Sequence, residues 1–294
     1  MNALMKGLKK VSVDRDAIRK RLKSLKNVPT MPGIFQEINK SIQNPETTTE
    51  DIAKIISSDQ ALSAKILRIV NSVLYGFPRR ISNITHALII LGFDVVKGLV
   101  LSSSVFDVML ARGLHGLWQH SVGCAITAGI IARRLDMPDP EEISVAALLH
   151  DLGKVIIKLE LPEESSLIEQ TVVDNQISMY EAEEKILGFN HATVGNWLCQ
   201  EWYLPNKLAN PITYHHKPNL SEFAIKPTAI VHVADALVRG IGFGFAGDNL
   251  VPKIDNKAWN VLEISDSLLG EIIREIDEKL DNAEDIFPEN GSDV

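Results

Sequence analysis

Chemistry in this chain of 294 residues is concentrated in its histidines and in a few acids set among apolar helical runs. The stretch Ala146-Ala147-Leu148-Leu149-His150-Asp151-Leu152-Gly153-Lys154 delivers an imidazole and a carboxylate side by side, then a lysine. A neutral imidazole beside a carboxylate is a mixed nitrogen and oxygen pair, suited to a transition metal or to acid–base work. The dipeptide alone carries little weight. It gains weight from His120 in Trp118-Gln119-His120-Ser121, His191 after Gly188-Phe189-Asn190, the pair His215-His216, and Asp235 in Val231-His232-Val233-Ala234-Asp235-Ala236. An acid in so apolar a stretch is costly to bury unless it is paired or bound to metal. Each of these residues alone reads as an ordinary surface or core group. Together they read as ligands aimed from five helices at one bundle centre, the way metal sites in helical bundles are built. His86, His115 and His232 stay outside the set, although His232 lies one turn before Asp235 and is a candidate partner for it.

The elements that must position these side chains are helical. Nearly every segment has the helical period and almost none alternates like a half-buried strand, so the spacing predicts an all-α fold. Helices are expected over 14–26, 33–43, 49–57, 60–73, 84–91 and 93–111, with a break at Val28-Pro29-Thr30-Met31-Pro32. Thr47 with Glu50 offers a capping box, and Asp59 an N-cap. A second set begins near Leu117. There Asp139-Pro140-Glu141-Glu142 marks a helix start that should run through His150 and Asp151, and Ser178 with Glu181 forms a second box. Further helices are expected over 191–202, 206–216, 227–239 and 264–281, followed by a polar tail from Pro288. The organisation expected is an N-terminal helical subdomain over 1–112, packed on a second helical subdomain over 113–294.

Composition narrows the function classes. With 45% hydrophobic and 23% charged residues the chain is globular, and a net charge of −8 argues against gripping nucleic acid or an anionic membrane. The basic residues between Lys6 and Arg21 read as a solvated helix face. Two distant cysteines, no leader-like start and no apolar run of about 20 residues point to a cytoplasmic protein. Gly242-Phe243-Gly244-Phe245-Ala246-Gly247 matches the dinucleotide-binding fingerprint by letter only. No strand precedes it, so it reads as a flexible connection.

The order His120, His150-Asp151, Asp235 resembles the H…HD…D signature of the HD phosphohydrolase superfamily. His191 and His215-His216 resemble the extra ligands of its HD-GYP branch, which hydrolyses cyclic di-GMP. Val28-Pro29-Thr30-Met31-Pro32, Ile55-Ile56-Ser57-Ser58-Asp59-Gln60-Ala61-Leu62, Asn71-Ser72-Val73-Leu74-Tyr75-Gly76, Ala87-Leu88-Ile89-Ile90-Leu91-Gly92 and Leu187-Gly188-Phe189-Asn190-His191 look like the HDOD domain, over about residues 25 to 240. That resemblance implies a bacterial signalling protein, with an N-terminal bundle on a degenerate HD-like subdomain. This sequence keeps nearly all the ligands that many such domains lose. It also departs from HD-GYP: Lys217-Pro218-Asn219-Leu220 follows His216 where that branch has Glu-Arg and later Gly-Tyr-Pro, and Gly116 stands where trinuclear sites place a glutamate.

By this resemblance His120, His150, Asp151 and Asp235 would hold one metal, and Asp151 would bridge to a second held by His191, His215 and His216. The donors suit iron or manganese, with zinc or nickel as alternatives. Lys154 would offset charge on a phosphate, and Asp151 and Lys154 would be the catalytic residues if a reaction occurs. Two function classes follow: a regulatory module that works through a signalling partner, and a metal-dependent phosphohydrolase or phosphodiesterase acting on a nucleotide or cyclic nucleotide.

Overall fold

The computed structural model describes residues 33–283 apart from 43 and 45. The helix expected over 14–26, the proline break at 28–32, the basic residues before it and the tail from Pro288 lie outside the described residues. The rest is helical, with no strand among the described residues.

Five helices come first: α1 (Gly33–Ile42), α2 (Thr49–Ser57), α3 (Gln60–Val70), α4 (Ile84–Leu91) and α5 (Phe93–Ala111). Their apolar stripes meet around Ile38, Ile56, Ile66, Leu88 and Leu99. Asp59 caps α3 as its residue type suggests, accepting from the Leu62 N–H at 2.9 Å. The box at α2 is Thr48 with Asp51, one residue beyond the expected pair, because the Thr47 hydroxyl donates to the Ser41 carbonyl instead.

The second group is organised around α6 (His115–Arg134). From Val122 to Ala132 this helix is aliphatic, small or Thr on every face, and it is buried throughout. Such a helix needs neighbours all round. They are α7 (Pro140–Leu149), α13 (Ile225–Ile241), α15 (Asp266–Asp281) and, from the first group, α5. Around them lie α8 (Leu152–Glu160), α9 (Pro162–Asn175), α10 (Met179–Leu187), α11 (His191–Glu201), α12 (Asn206–Tyr214) and α14 (Asn256–Leu262). Ser178 and Glu181 form the expected capping box of α10, and Gly188, at φ 72°, ends it.

Two further local expectations fail, each for a readable reason. Asp139 does not cap α7 with its side chain and pairs with Lys207 at 2.9 Å. The α7 helix stops at Leu149 and does not continue through Asp151. The ring of His150 takes the Ala147 carbonyl at 2.6 Å, the acceptor that the Asp151 N–H would need to extend the helix. His150 and Asp151 therefore occupy a sharp turn between α7 and α8.

The turn aims α8 so closely at α11 that Gly153 has no room for a side chain. A Cβ there would lie 2.0 Å from the backbone carbonyl oxygen of His191. Backbone cannot give way as a side chain tip does, so Gly153→Ala should cost at least the upper end of the roughly 1–3 kcal/mol usual for overpacking. Urea denaturation measures it, and a variant as stable as wild type would rule out the close approach.

Lys97 ties the two groups of helices together. Buried on α5, it donates to the Tyr203 carbonyl beyond α11 at 2.9 Å, and burial pushes its pKa from 10.5 down to about 8. Between those values the unfolded chain binds more protons than the folded one, so stability rises with pH across the window. Below about pH 8 both states are protonated and the penalty is constant. The stability of wild type relative to Lys97→Met should climb from pH 8 to 10.5; a flat difference would show that the ammonium is not desolvated.

Candidate metal centre

All seven side chains singled out as ligands converge. His120 comes from the second turn of α6, His150 and Asp151 from the α7–α8 turn, and His191 from the first position of α11. His215 and His216 follow the end of α12, and Asp235 projects from the middle of α13. Six of them are at most 3% exposed, and only His216 is partly open. Asp151 is the hub. Its Oδ2 lies 3.3 Å from His150 Nε2 and 3.6 Å from His120 Nε2, while its Oδ1 lies 3.2 Å from His191 Nε2 and 3.9 Å from His215 Nε2. Asp235 Oδ1 stands 3.2 Å from His120 Nε2.

Local structure fixes which ring nitrogens point inward. A carbonyl or carboxylate can only accept, so the Nδ1 atoms facing Ala147 O (His150), Ile212 O (His215) and the Glu183 carboxylate (His191) are the protonated ones. Their Nε2 atoms then present lone pairs to the centre. Yet His191 Nε2 lies 3.3 Å from His215 Nε2 and 3.2 Å from Asp151 Oδ1, lone pair facing lone pair. His216 Nε2 is 2.8 Å from the same nitrogen. Neither His150 Nε2 nor Asp151 Oδ1 has a hydrogen-bond partner. Buried acceptors are normally satisfied. Acceptors that confront one another are satisfied by a shared cation, so the donor set fits a divalent metal ion.

The protonation pattern agrees. Burial would raise the Asp151 carboxyl, but His150, Lys154 and His191 beside it hold it well below the usual carboxylate range. Asp235 is likewise held low against burial by His120 and His150. Burial and the neighbouring imidazoles push His215 down, and burial lowers His120. In His150 the same burial is outweighed by Asp151 and Asp235, which raise it. Ionised carboxylates facing mostly neutral imidazoles are what metal ligation requires.

Around the ligands stands a layer the sequence reading missed. Glu183, buried on α10, accepts both the backbone N–H of His191 at 2.7 Å and its ring at 2.6 Å. An acid on the inward face of that amphipathic helix, beside Ala182 and Leu187, was the signal available. Cys124 lies one turn after His120, with its sulfur 3.5 Å from that ring. His232 does not serve Asp235; it is bonded to the His215 carbonyl at 2.6 Å and accepts from the Asp255 N–H at 2.9 Å, fixing the end of α12.

Lys154 belongs to α8 and not to a helix continuing from His150, yet it reaches the site. Its ammonium donates to Asp151 Oδ2 at 2.6 Å and to the Ala246 carbonyl at 2.8 Å. The latter bond gives the glycine-rich segment after α13 a role other than the loose connection expected. Phe245 N–H donates to Gly116 O at 2.8 Å, and a Cβ on Gly244 would lie 2.2 Å from the backbone nitrogen of His120. The segment is a strap laid backbone to backbone over the start of α6. Beyond it, a cavity of about 230 Å³ is lined by Lys154, Leu117, Ile157, Ile168, Met179 and Phe245.

Comparison with known proteins places this architecture. A protein of Treponema pallidum (strain Nichols) with no described activity is 27% identical over 193 residues, 65% of this chain, and the match spans 38% of that longer relative. The crystal structure of an HDOD domain protein of unknown function from Geobacter sulfurreducens is 27% identical, covers 92% of this chain and 99% of its own, and has a TM-score of 0.68. A candidate phosphohydrolase from Shewanella amazonensis SB2B, 21% identical, shares the fold with a TM-score of 0.64, over 92% of this chain and 98% of its own. No helix among the described residues is long and apolar enough to cross a membrane. The HDOD family model matches residues 28–218, well over half of the chain and all the candidate ligands but Asp235, and the chain belongs to the HDOD domain family.

Proposed function

We propose that this chain is a bacterial HDOD-type signalling module of the cytoplasm, built around a retained HD-type metal centre. One observation carries the reading. All the proposed ligands but His216 are closed off from solvent, with Lys154 bonded across to the strap at Ala246, in an arrangement suited to holding an ion more than to turning over a substrate. His120, His150, Asp151 and Asp235 would hold the first ion, and His191, His215 and His216 a second bridged through Asp151. Iron or manganese is the favoured ion, with zinc or nickel next. Two helical subdomains, 1–112 and 113–294, would carry the response to a signalling protein partner. The charge of −8 disfavours nucleic acid as that partner.

A second reading, a metal-dependent phosphohydrolase acting on a nucleotide or cyclic nucleotide, draws on one feature. Lys154 joins Asp151 to the wall of the 230 Å³ cavity, so its ammonium is placed to meet an anionic phosphate there. Divalent ions of this kind make hydroxide available near neutral pH. The Shewanella relative is named as a candidate phosphohydrolase, and this chain shares its fold.

Elemental analysis of protein purified without chelator should find at least one divalent transition metal per chain, and Asp151→Ala should weaken retention by tenfold or more. Only trace metal, unrestored by added iron or manganese, would remove the metal centre. With metal present, a panel of phosphomonoesters, nucleotides and cyclic dinucleotides should show no turnover above the Asp151→Ala background. Turnover that depends on Asp151 would replace the signalling reading with the hydrolase.

A further inference from the structure

We propose that Cys124 is a ligand of the ion held by His120, His150 and Asp235, giving that position a sulfur donor; the inference rests on reading the cluster as a metal centre. The helix α6 sets Cys124 one turn after His120, on the same face. Its Sγ lies 3.5 Å from His120 Nε2, and His120 Nε2 lies 3.2 Å from Asp235 Oδ1. His120, Cys124, His150 and Asp235 each offer one donor atom, and these four atoms all lie within 4.8 Å of one another. With metal–ligand bonds of about 2.0–2.3 Å, neighbouring donors of one ion lie roughly 3–4 Å apart, so small side-chain adjustments suffice for Cys124 to join the other three, with Asp151 completing a five-coordinate set. All four residues are fully buried, and His150 Nε2 has no hydrogen-bond partner.

The second cysteine provides the contrast. Cys199, on α11, is buried as completely but joins no group of histidines and acids among the described residues. It is the ordinary case of a thiol packed as a small hydrophobe. Cys124 is placed among three other donors in one of the groups that could hold an ion.

Binding changes no oxidation state. The S–H bond breaks, the metal–sulfur bond forms, and the proton leaves to solvent. A thiolate at one position makes the two halves of the centre unlike. The half with sulfur prefers a thiophilic ion such as zinc over manganese, while the half of His191, His215 and His216 offers nitrogen and the shared Asp151 oxygen but no sulfur.

Cobalt(II) is the probe, because thiolate ligation adds an intense near-ultraviolet charge-transfer band that nitrogen and oxygen donors do not give. Metal-depleted full-length protein would be titrated anaerobically with cobalt(II), in parallel with Cys124→Ala, Cys124→Ser and Cys199→Ala. Wild type and Cys199→Ala should show the band, and both Cys124 variants should lose it. Cys124→Ala should keep a weaker visible cobalt spectrum and bind about tenfold less tightly in chelator competition. Circular dichroism would confirm that each variant is folded. Cobalt bound without the band in wild type, or a band that survives in folded Cys124→Ala, overturns the sulfur ligand and leaves the metal centre standing. No cobalt uptake by wild type overturns both.

Discussion

The arrangement at the centre of the second helical group is electrostatically expensive, and the structure is shaped by what compensates it. Asp151 and Asp235 are buried carboxylates, and the imidazoles of His120, His150, His191 and His215 face them with little water within reach. With Nδ1 as the protonated ring nitrogen of His150, His191 and His215, their inward Nε2 atoms bear lone pairs, so acceptor faces acceptor across the centre. Burying such groups costs several kcal/mol each unless charge is paired. Lys154 supplies one positive charge. A shared cation would supply the rest in a way that added packing cannot.

Holding acceptors in opposition demands rigidity, and the surrounding elements provide it by spending their own polar groups. The Ala147 and Ile212 carbonyls, each near the end of a helix, bind ring nitrogens. The first of these bonds ends α7 and makes the turn that carries Asp151. Gly153 then lets α8 run against the backbone of His191, and Gly244 lets the strap run against the backbone of His120. Two glycines in different parts of the chain thus serve one purpose, close backbone approach on either side of the ligands. The all-round apolar surface of α6 keeps His120 at a fixed depth among its neighbours.

Much of this was legible in the sequence because ligand chemistry is local in residue type and helical period is local in spacing. His120, His150, Asp151, His191, His215, His216 and Asp235 could be collected before any contact was known, and the all-α fold follows from the same periodicity. Three things were not legible. The break after Leu149 depends on a side chain competing with the backbone for one carbonyl, which apolar spacing does not record. Glu183 and Cys124 matter only through neighbours from other helices, and alone they look like a helix acid and a core thiol. The segment from Gly242 to Gly247 advertises glycine, and glycine signals close approach without saying to what. The approach is to α6 and not to a pyrophosphate.

Charge also bears on how many ions the centre takes and what else must accompany them. Asp151, Asp235 and Glu183 are buried acids in contact with the cluster, and among the described residues Lys154 is the one ammonium bonded to it. Three negative charges against one positive leave the region two charges negative, which a single divalent ion neutralises. A second divalent ion would leave an excess of positive charge in a low-dielectric interior, and that excess would need an anion beside it. A thiolate at Cys124 would supply part of the need from within the protein. The remainder would have to come from outside, and a phosphate entering from the cavity beside Lys154 has the right sign. The number of ions and the nature of the function are therefore linked: with Cys124 left as a neutral thiol, a closed centre with one ion is electrically complete and suits a structural or sensory role, whereas a centre with two ions requires anionic ligands beyond the three acids.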